Sequence, residues 1–184
     1  MRKQILFIQG GGEGAHDRWD DKLVANLADT LGPSYEIRSP HMPREDDPSY
    51  AIWKSAIANE IAALADDSIV VAHSLGATIL VHALAEDAPR TKLAGIFLIA
   101  APFIGPGGWP SDDIEPAQNL GARLPNDTPI YFYHGSADET VSTDHVELYA
   151  QAVPQAHVRK LEGRDHQLND DLSEVASDIV ALSR

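Results

Sequence analysis

Residues 70–78 read VVAHSLGAT. A β-branched apolar run stops abruptly on His73 and Ser74, and small and apolar residues resume at once from Gly76. A buried strand that ends on a polar pair and restarts as a helix is a sharp strand-to-helix turn with Ser74 at its apex. A serine there projects its hydroxyl at a helix N-terminus, where backbone N–H groups point outward.

Outward from that turn the same alternation repeats. Short apolar runs predict strands at Gln4–Gln9, Tyr35–Ser39, Ser68–His73, Leu93–Ala100, Pro129–His134 and His157–Leu161. Several lack the in–out alternation of a half-exposed strand, as strands covered on both faces do. Between them, Tyr50, Trp53, Ile57, Ile61 and Leu64 recur at steps of three and four residues. That spacing predicts a helix over 49–65, with Asp47 as cap and Pro48 at the first helical position. Leu23, Leu27 and Leu31 mark an earlier helix, and Leu172, Val175, Ile179 and Leu182 mark a C-terminal one. Strand and helix in alternation imply a three-layer α/β/α sandwich around a six-stranded parallel sheet, one domain over residues 1–184. Such sheets bind ligands beyond the carboxyl ends of their strands.

Four polar loops fall at those ends: QGGGEGAHDRW after the first strand, AHSLGA after the third, HGSADETV after the fifth and EGRDHQL after the sixth. They bring a serine, an aspartate (Asp138) and a histidine (His166) to one edge of the sheet. A serine hydroxyl needs a base to become a nucleophile, and the base needs an orienting acid. Glu139 and Asp144 compete with Asp138 for that place. His134 is expected to support the acid loop, and His73 to be structural. His145 and His157 are expected not to reach Ser74, and Asp165 to be a solvated neighbour.

The stretch Ala72-His73-Ser74-Leu75-Gly76 resembles G-x-S-x-G, the nucleophile elbow of the α/β-hydrolase superfamily, with alanine in place of the first glycine. HGSAD and GRDH are similar to the acid and histidine loops of that superfamily. The compact length and these loops together resemble its retinoblastoma-binding serine hydrolase branch. The resemblance implies a minimal α/β-hydrolase without a large cap domain and the strand order 2-1-3-4-5-6. It implies Ser74 as nucleophile, His166 as base and Asp138 as orienting acid, in the chain order of the superfamily. It further implies an oxyanion hole formed by the N–H groups of Leu75 and Gly11, the glycine loop having Gln9 where relatives often carry histidine. Gly12, His16 and Trp109 are expected to line the substrate pocket, with Trp19 either there or in the core. The activity implied is carboxylesterase-like cleavage of a small ester, thioester or amide. The segment 101–128, with five prolines and four glycines, is too short to enclose a long acyl chain.

Composition narrows the remaining choices. A formal net charge of −14 and a pI near 4.7 disfavour nucleic acid and anionic membrane as partners. The expected partner is a small acyl substrate; oligomeric state is left open. With no cysteine there is neither a disulfide nor a thiolate metal site. No histidine pair has H-E-x-x-H spacing, so no metal is expected, and no cofactor. The apolar stretch Ile5–Ile8 is too short for a signal-peptide core, which points to a cytoplasmic protein. Two other readings stand beside the hydrolase. Gly10, Gly12 and Ala15 fit a dinucleotide-binding G-x-G-x-x-A, with Glu36 as ribose contact. The chain also fits a non-catalytic binding protein of the same fold.

Overall fold

The computed structural model describes residues 2–182. Six strands, β1 (Lys3–Ile8), β2 (Tyr35–Arg38), β3 (Ser68–His73), β4 (Leu93–Ile99), β5 (Ile130–Gly135) and β6 (His157–Leu161), form one sheet. Their order is β2-β1-β3-β4-β5-β6, and every neighbouring pair is parallel. The order and direction are those expected.

Strand side chains alternate between two cores, which is why the central strands read as unbroken apolar runs. Ile5, Phe7, Ile69, Val71, Phe97 and Ile99 pack on one face with α1 (Asp21–Leu31) and α6 (Ser173–Ala181). Leu6, Ile8, Val70, Ala72, Ile96 and Leu98 pack on the other with α2 (Tyr50–Ala62), α3 (Ser74–Glu86) and α5 (Asp144–Ala152). The middle helix α3 is buried from Gly76 to Ala85, so it is apolar nearly all round. Among the described residues no helix is long and apolar enough to cross a membrane.

Two helix starts differ from expectation. Residues Asp47 and Pro48 do not open α2; the helix begins at Tyr50, and the Tyr50 N–H donates to Asp113 Oδ2 at 2.7 Å. A carboxylate from the β4–β5 connection thus does the capping, while Asp47 pairs with Arg44. Helix α1 is preceded by a π-helical turn over Ala15–Asp20, so the glycine loop turns one residue wider than an α-helical entry. Residues 101–128 hold a single short helix, α4 (Leu120–Arg123), and an isolated bridge between Ile104 and Trp109. Ile104, Ile114 and Leu120 are buried in the core there, so they belong to the packing of the domain.

Candidate active site

Ser74 stands directly after β3 with φ of 51°, a left-handed backbone that a serine adopts only when its surroundings enforce it. Close packing of the elbow against β1 supplies the enforcement. A Cβ on Gly76 would lie 2.0 Å from the Gln9 carbonyl oxygen, so any side chain is excluded at that position.

His166, from the loop after β6, meets Ser74 and Asp138 at once. Its Nε2 is 2.9 Å from Ser74 Oγ and its Nδ1 is 2.8 Å from Asp138 Oδ2. The carboxylate accepts, so Nδ1–H donates to Asp138, and the Nε2 lone pair is left to accept the Ser74 hydroxyl proton. Asp138 itself is fixed by the N–H groups of Thr140 and Val141, each donating to Oδ1 at 2.8 Å. Its side chain has no solvent exposure. Burial alone would raise its pKa. Hydrogen bonds from His134, His166 and the Val141 N–H outweigh that and hold the carboxyl well below the usual carboxylate range. His134 Nε2–H donates to the Val141 carbonyl at 2.7 Å and stands 3.3 Å from Asp138 Oδ2, so this ring braces the acid loop. Glu139 is exposed and Asp144 opens α5; the carboxylate that faces His166 is that of Asp138.

Residues 168–170 follow His166 with φ of 53°, 58° and 55°, a left-handed turn. Asp165 makes it possible. Its Oδ1 accepts the N–H groups of Gln167 and Asn169, and Arg164 donates to the Leu168 carbonyl. Asp165 is therefore exposed but structural.

The glycine loop is built on carboxylates that the sequence reading did not single out. Glu45 accepts from Gln9 Nε2 at 2.6 Å, from Gly14 N–H at 2.9 Å and from His16 N–H at 3.1 Å. Burial pushes its pKa up, and those three donors more than reverse the shift. Asp20, buried at the end of the π-helical turn, accepts the Gly10 N–H at 2.6 Å. Its other oxygen lies 2.8 Å from His73 Nδ1, out of line for a hydrogen bond. His73 Nε2–H donates to the His166 carbonyl at 3.0 Å. Burial lowers the pKa of His73, but the Asp20 charge prevails and raises it. The Asp20–His73 contact thus ties the glycine loop, the elbow and the His166 loop together. The signal for it in the sequence was weak: an aspartate before a helix reads as a cap. Here the Asp20 side chain makes no cap bond to α1.

These carboxylates also close the dinucleotide reading. The N–H groups of Gly10, Gly14 and His16, which a pyrophosphate would need, are already taken by Asp20 and Glu45. Glu36 is exposed within β2, and Arg38 is paired with Glu60. The N–H of Gly11, by contrast, has no protein acceptor among the described residues. Leu75 lies in the first turn of α3, where N–H groups lack intrahelical acceptors. A Cβ on Gly11 would come within 2.8 Å of Leu75 Cδ2 and 3.0 Å of Pro48 Cγ, so a side chain there would push Leu75 aside.

A cavity of about 320 Å³ near α6 and one of about 310 Å³ between α2 and α3 lie away from this constellation. The one at Ser74 measures about 480 Å³ and takes its walls from Gly10, Gly11, Leu75, Trp19, Trp109 and Thr140, with Ser74 and His166 at its base. Trp19 and Trp109 come from different loops and remain 51% and 39% exposed. Two expected lining residues are absent. His16 turns away because its Nε2 is held by the Ser39 carbonyl at 2.9 Å and its Nδ1 by Asp17. Gly12 is drawn off by its N–H bond to the Glu45 carbonyl. His145 accepts the Phe103 N–H at 2.8 Å and meets the Trp109 ring edge-on, which props that loop.

Residues 5–170 match the serine hydrolase family, and the chain belongs to it. The fold is that of a compact α/β-hydrolase. No curated protein matches the chain. Among solved structures it is similar to the ydeN gene product of B. subtilis, with a TM-score of 0.69 and 18% identity over 98% of each chain. It is also similar to the esterase domain of a Rhodothermus marinus protein, with a TM-score of 0.67 and 19% identity over 98% of this chain and 85% of that one. Est1E from Butyrivibrio proteoclasticus gives a TM-score of 0.69 at 13% identity, over 99% and 88% respectively.

Proposed function

We propose that this serine hydrolase cleaves small carboxylic esters, or the corresponding thioesters or amides, through an acyl-enzyme on Ser74. The observation that carries the reading is His166, hydrogen-bonded to Ser74 Oγ on one side and Asp138 on the other. In this mechanism Nε2 of His166 takes the hydroxyl proton as Oγ bonds to the substrate carbonyl carbon. The N–H groups of Leu75 and Gly11 receive the developing oxyanion; such donors contribute about 2.7–4 kcal/mol each where they have been removed. His166 then passes its proton to the leaving group as the tetrahedral intermediate collapses. Water, deprotonated by the same nitrogen, releases the acid and restores Ser74. Asp138, kept ionised by its hydrogen bonds, holds the tautomer and stabilises the imidazolium. The chemistry calls for no metal or cofactor, and the partner is the acyl substrate alone.

The cavity supports a short acyl group. Its 480 Å³ sits within the range of about 300–1,000 Å³ for small-molecule sites, and of residues 101–128 only Trp109 reaches it. Each buried CH₂ contributes roughly 0.8 kcal/mol where the wall is complete, so that gain ends when the chain outgrows the wall. On p-nitrophenyl esters kcat/KM is therefore expected to peak at short chains and to have fallen by about C8, and Trp109→Ala to flatten the profile. A steady climb to C12 or beyond would replace this reading with a lipase-like one. Ser74→Ala tests the mechanism itself: kcat is expected to drop by about 10⁶-fold with an unchanged melting temperature. Retention of activity within about tenfold contradicts the acyl-enzyme.

A further inference from the structure

A second cluster of metal-binding side chains lies outside the cavity. The π-helical turn after β1 and the loop after β2 bring His16, Asp17 and His41 together, with one ligand atom of each within 4.8 Å of the others. The two imidazole rings stack at 3.9 Å. His16 Nδ1 and His41 Nε2 face the same oxygen, Asp17 Oδ1, at 2.7 and 3.3 Å.

The far nitrogens decide which lone pairs converge. His16 Nε2 faces the Ser39 backbone carbonyl at 2.9 Å, and a carbonyl can only accept. That nitrogen carries a proton, and Nδ1, 2.7 Å from the Asp17 carboxylate, carries a second one unless a metal ion takes its place. His41 Nδ1 stands 4.0 Å from Glu45 Oε2, beyond hydrogen-bond distance, so its Nε2 can turn either a proton or a lone pair to Asp17. Lone pairs of two imidazoles and a carboxylate repel unless a cation lies among them. A proton on one ring serves one contact; a metal ion serves all three. Histidines that ligate metals almost always donate their other N–H to a carbonyl or carboxylate in this way. Ligands of a tetrahedral ion with bonds of about 2.0–2.2 Å stand roughly 3.3 Å apart; His41 Nε2 meets that spacing from Asp17 Oδ1 at 3.3 Å, and His16 Nδ1, at 2.7 Å, would draw back on binding.

We propose that His16, Asp17 and His41 bind a divalent transition-metal ion of the zinc class, which staples the loop after β2 to the glycine-rich loop. Two imidazoles and one carboxylate suit Zn²⁺, Co²⁺ or Ni²⁺ and are poor for Mg²⁺ or Ca²⁺. Three protein ligands leave a fourth position for water. Entry is open, since the side chains of Asp17 and His41 are 73% and 53% exposed. The net charge of −14 and the Glu45 carboxylate favour a cation there. Because His16 does not line the Ser74 cavity, the ion braces loops and takes no part in acyl transfer. Spacing along the chain gives no hint of it, because the ligands come from two loops that only the fold joins.

Zinc alone, titrated calorimetrically into tag-free, chelator-treated protein at about pH 8, tests the site. The wild type is expected to bind one ion. His41→Ala and Asp17→Asn are each expected to weaken it by about tenfold or more, a loss typical of metal-site damage. His157→Ala, at an exposed histidine elsewhere, keeps wild-type affinity. Saturating Zn²⁺ raises the melting temperature by on the order of 5 °C in the wild type and not in the two variants. Melting without metal separates a lost ligand from a disturbed loop, and His41→Gln repeats the comparison if alanine disturbs it. Failure to bind Zn²⁺, equal binding of Mg²⁺, or affinity that survives all three cluster substitutions overturns the proposal.

Discussion

Two carboxylate–imidazole pairs flank Ser74, Asp138–His166 and Asp20–His73, and in each the oxygen and nitrogen are 2.8 Å apart. Their chemistry differs because their far nitrogens face different atoms. His166 aims Nε2 at Ser74 Oγ, while His73 aims Nε2 at the His166 carbonyl. One pair opens onto the Ser74 hydroxyl; the other is closed at both ends by protein. Asp138 is further tied by two backbone N–H groups of its own turn, whereas Asp20 spends an oxygen on Gly10 in a different loop. An acid beside a histidine is thus no signature of catalysis by itself. What matters is where the second nitrogen points, and whether the pair orients one ring or joins three loops.

Breaking the open pair is expected to have the largest effect. Asp138→Asn preserves shape but favours the wrong tautomer of His166, a loss on the order of 10⁴ in kcat where it has been measured. Steady-state kinetics on a short-chain ester reads this directly. A loss below about tenfold would mean that another group orients the imidazole.

Breaking the closed pair should act on stability first and on rate second. Asp20→Asn is expected to lower kcat only about tenfold, through small displacements of Gly11 and His166. Its stability cost should depend on pH with a definite sign. The pKa of His73 is raised above its ordinary 6.5 because Asp20 outweighs burial. A raised group contributes stability that is fully present below the unfolded value and is lost as pH climbs through the folded one. The destabilisation of Asp20→Asn, about 1.5–3 kcal/mol for a lost charged contact, should therefore be largest near pH 6 and should shrink toward pH 9. Urea melts of both proteins at the two pH values check it. A pH-independent difference would mean that His73 is neutral, and a kcat loss equal to that of Asp138→Asn would erase the distinction between the pairs.

The smallest effect should come from the neighbour of the acid. Glu139 is exposed and directs no hydrogen bond at His166, so Glu139→Gln should leave kcat within about twofold, as surface changes away from a site do. A loss approaching that of Asp138→Asn would move the acid by one residue.

Much of this frame was legible in the sequence, for a physical reason. Strands buried on both faces must be apolar throughout, so Val70–His73 announces both its extent and its polar end, and Ile96–Ile99 its extent. The residues at those ends, Ser74, Asp138 and His166, could then be assigned to one edge of the sheet. What was not legible depends on contacts between distant loops. Asp20 and Glu45 read as ordinary surface acids until the fold sets them under the glycine loop. The start of α2 was misplaced because its cap, Asp113, lies 63 residues away. His16 was expected in the pocket, and only the position of the Ser39 carbonyl explains why it faces the other way.

The central claim is that Ser74 is the nucleophile and that its hydroxyl is activated by His166. A fluorophosphonate probe reacts with an activated serine irrespective of the substrate. Incubation with the intact protein followed by peptide mapping should find one adduct, on Ser74, and His166→Ala should abolish it while the melting temperature is kept. An unlabelled protein, or an adduct on another serine, would contradict the account.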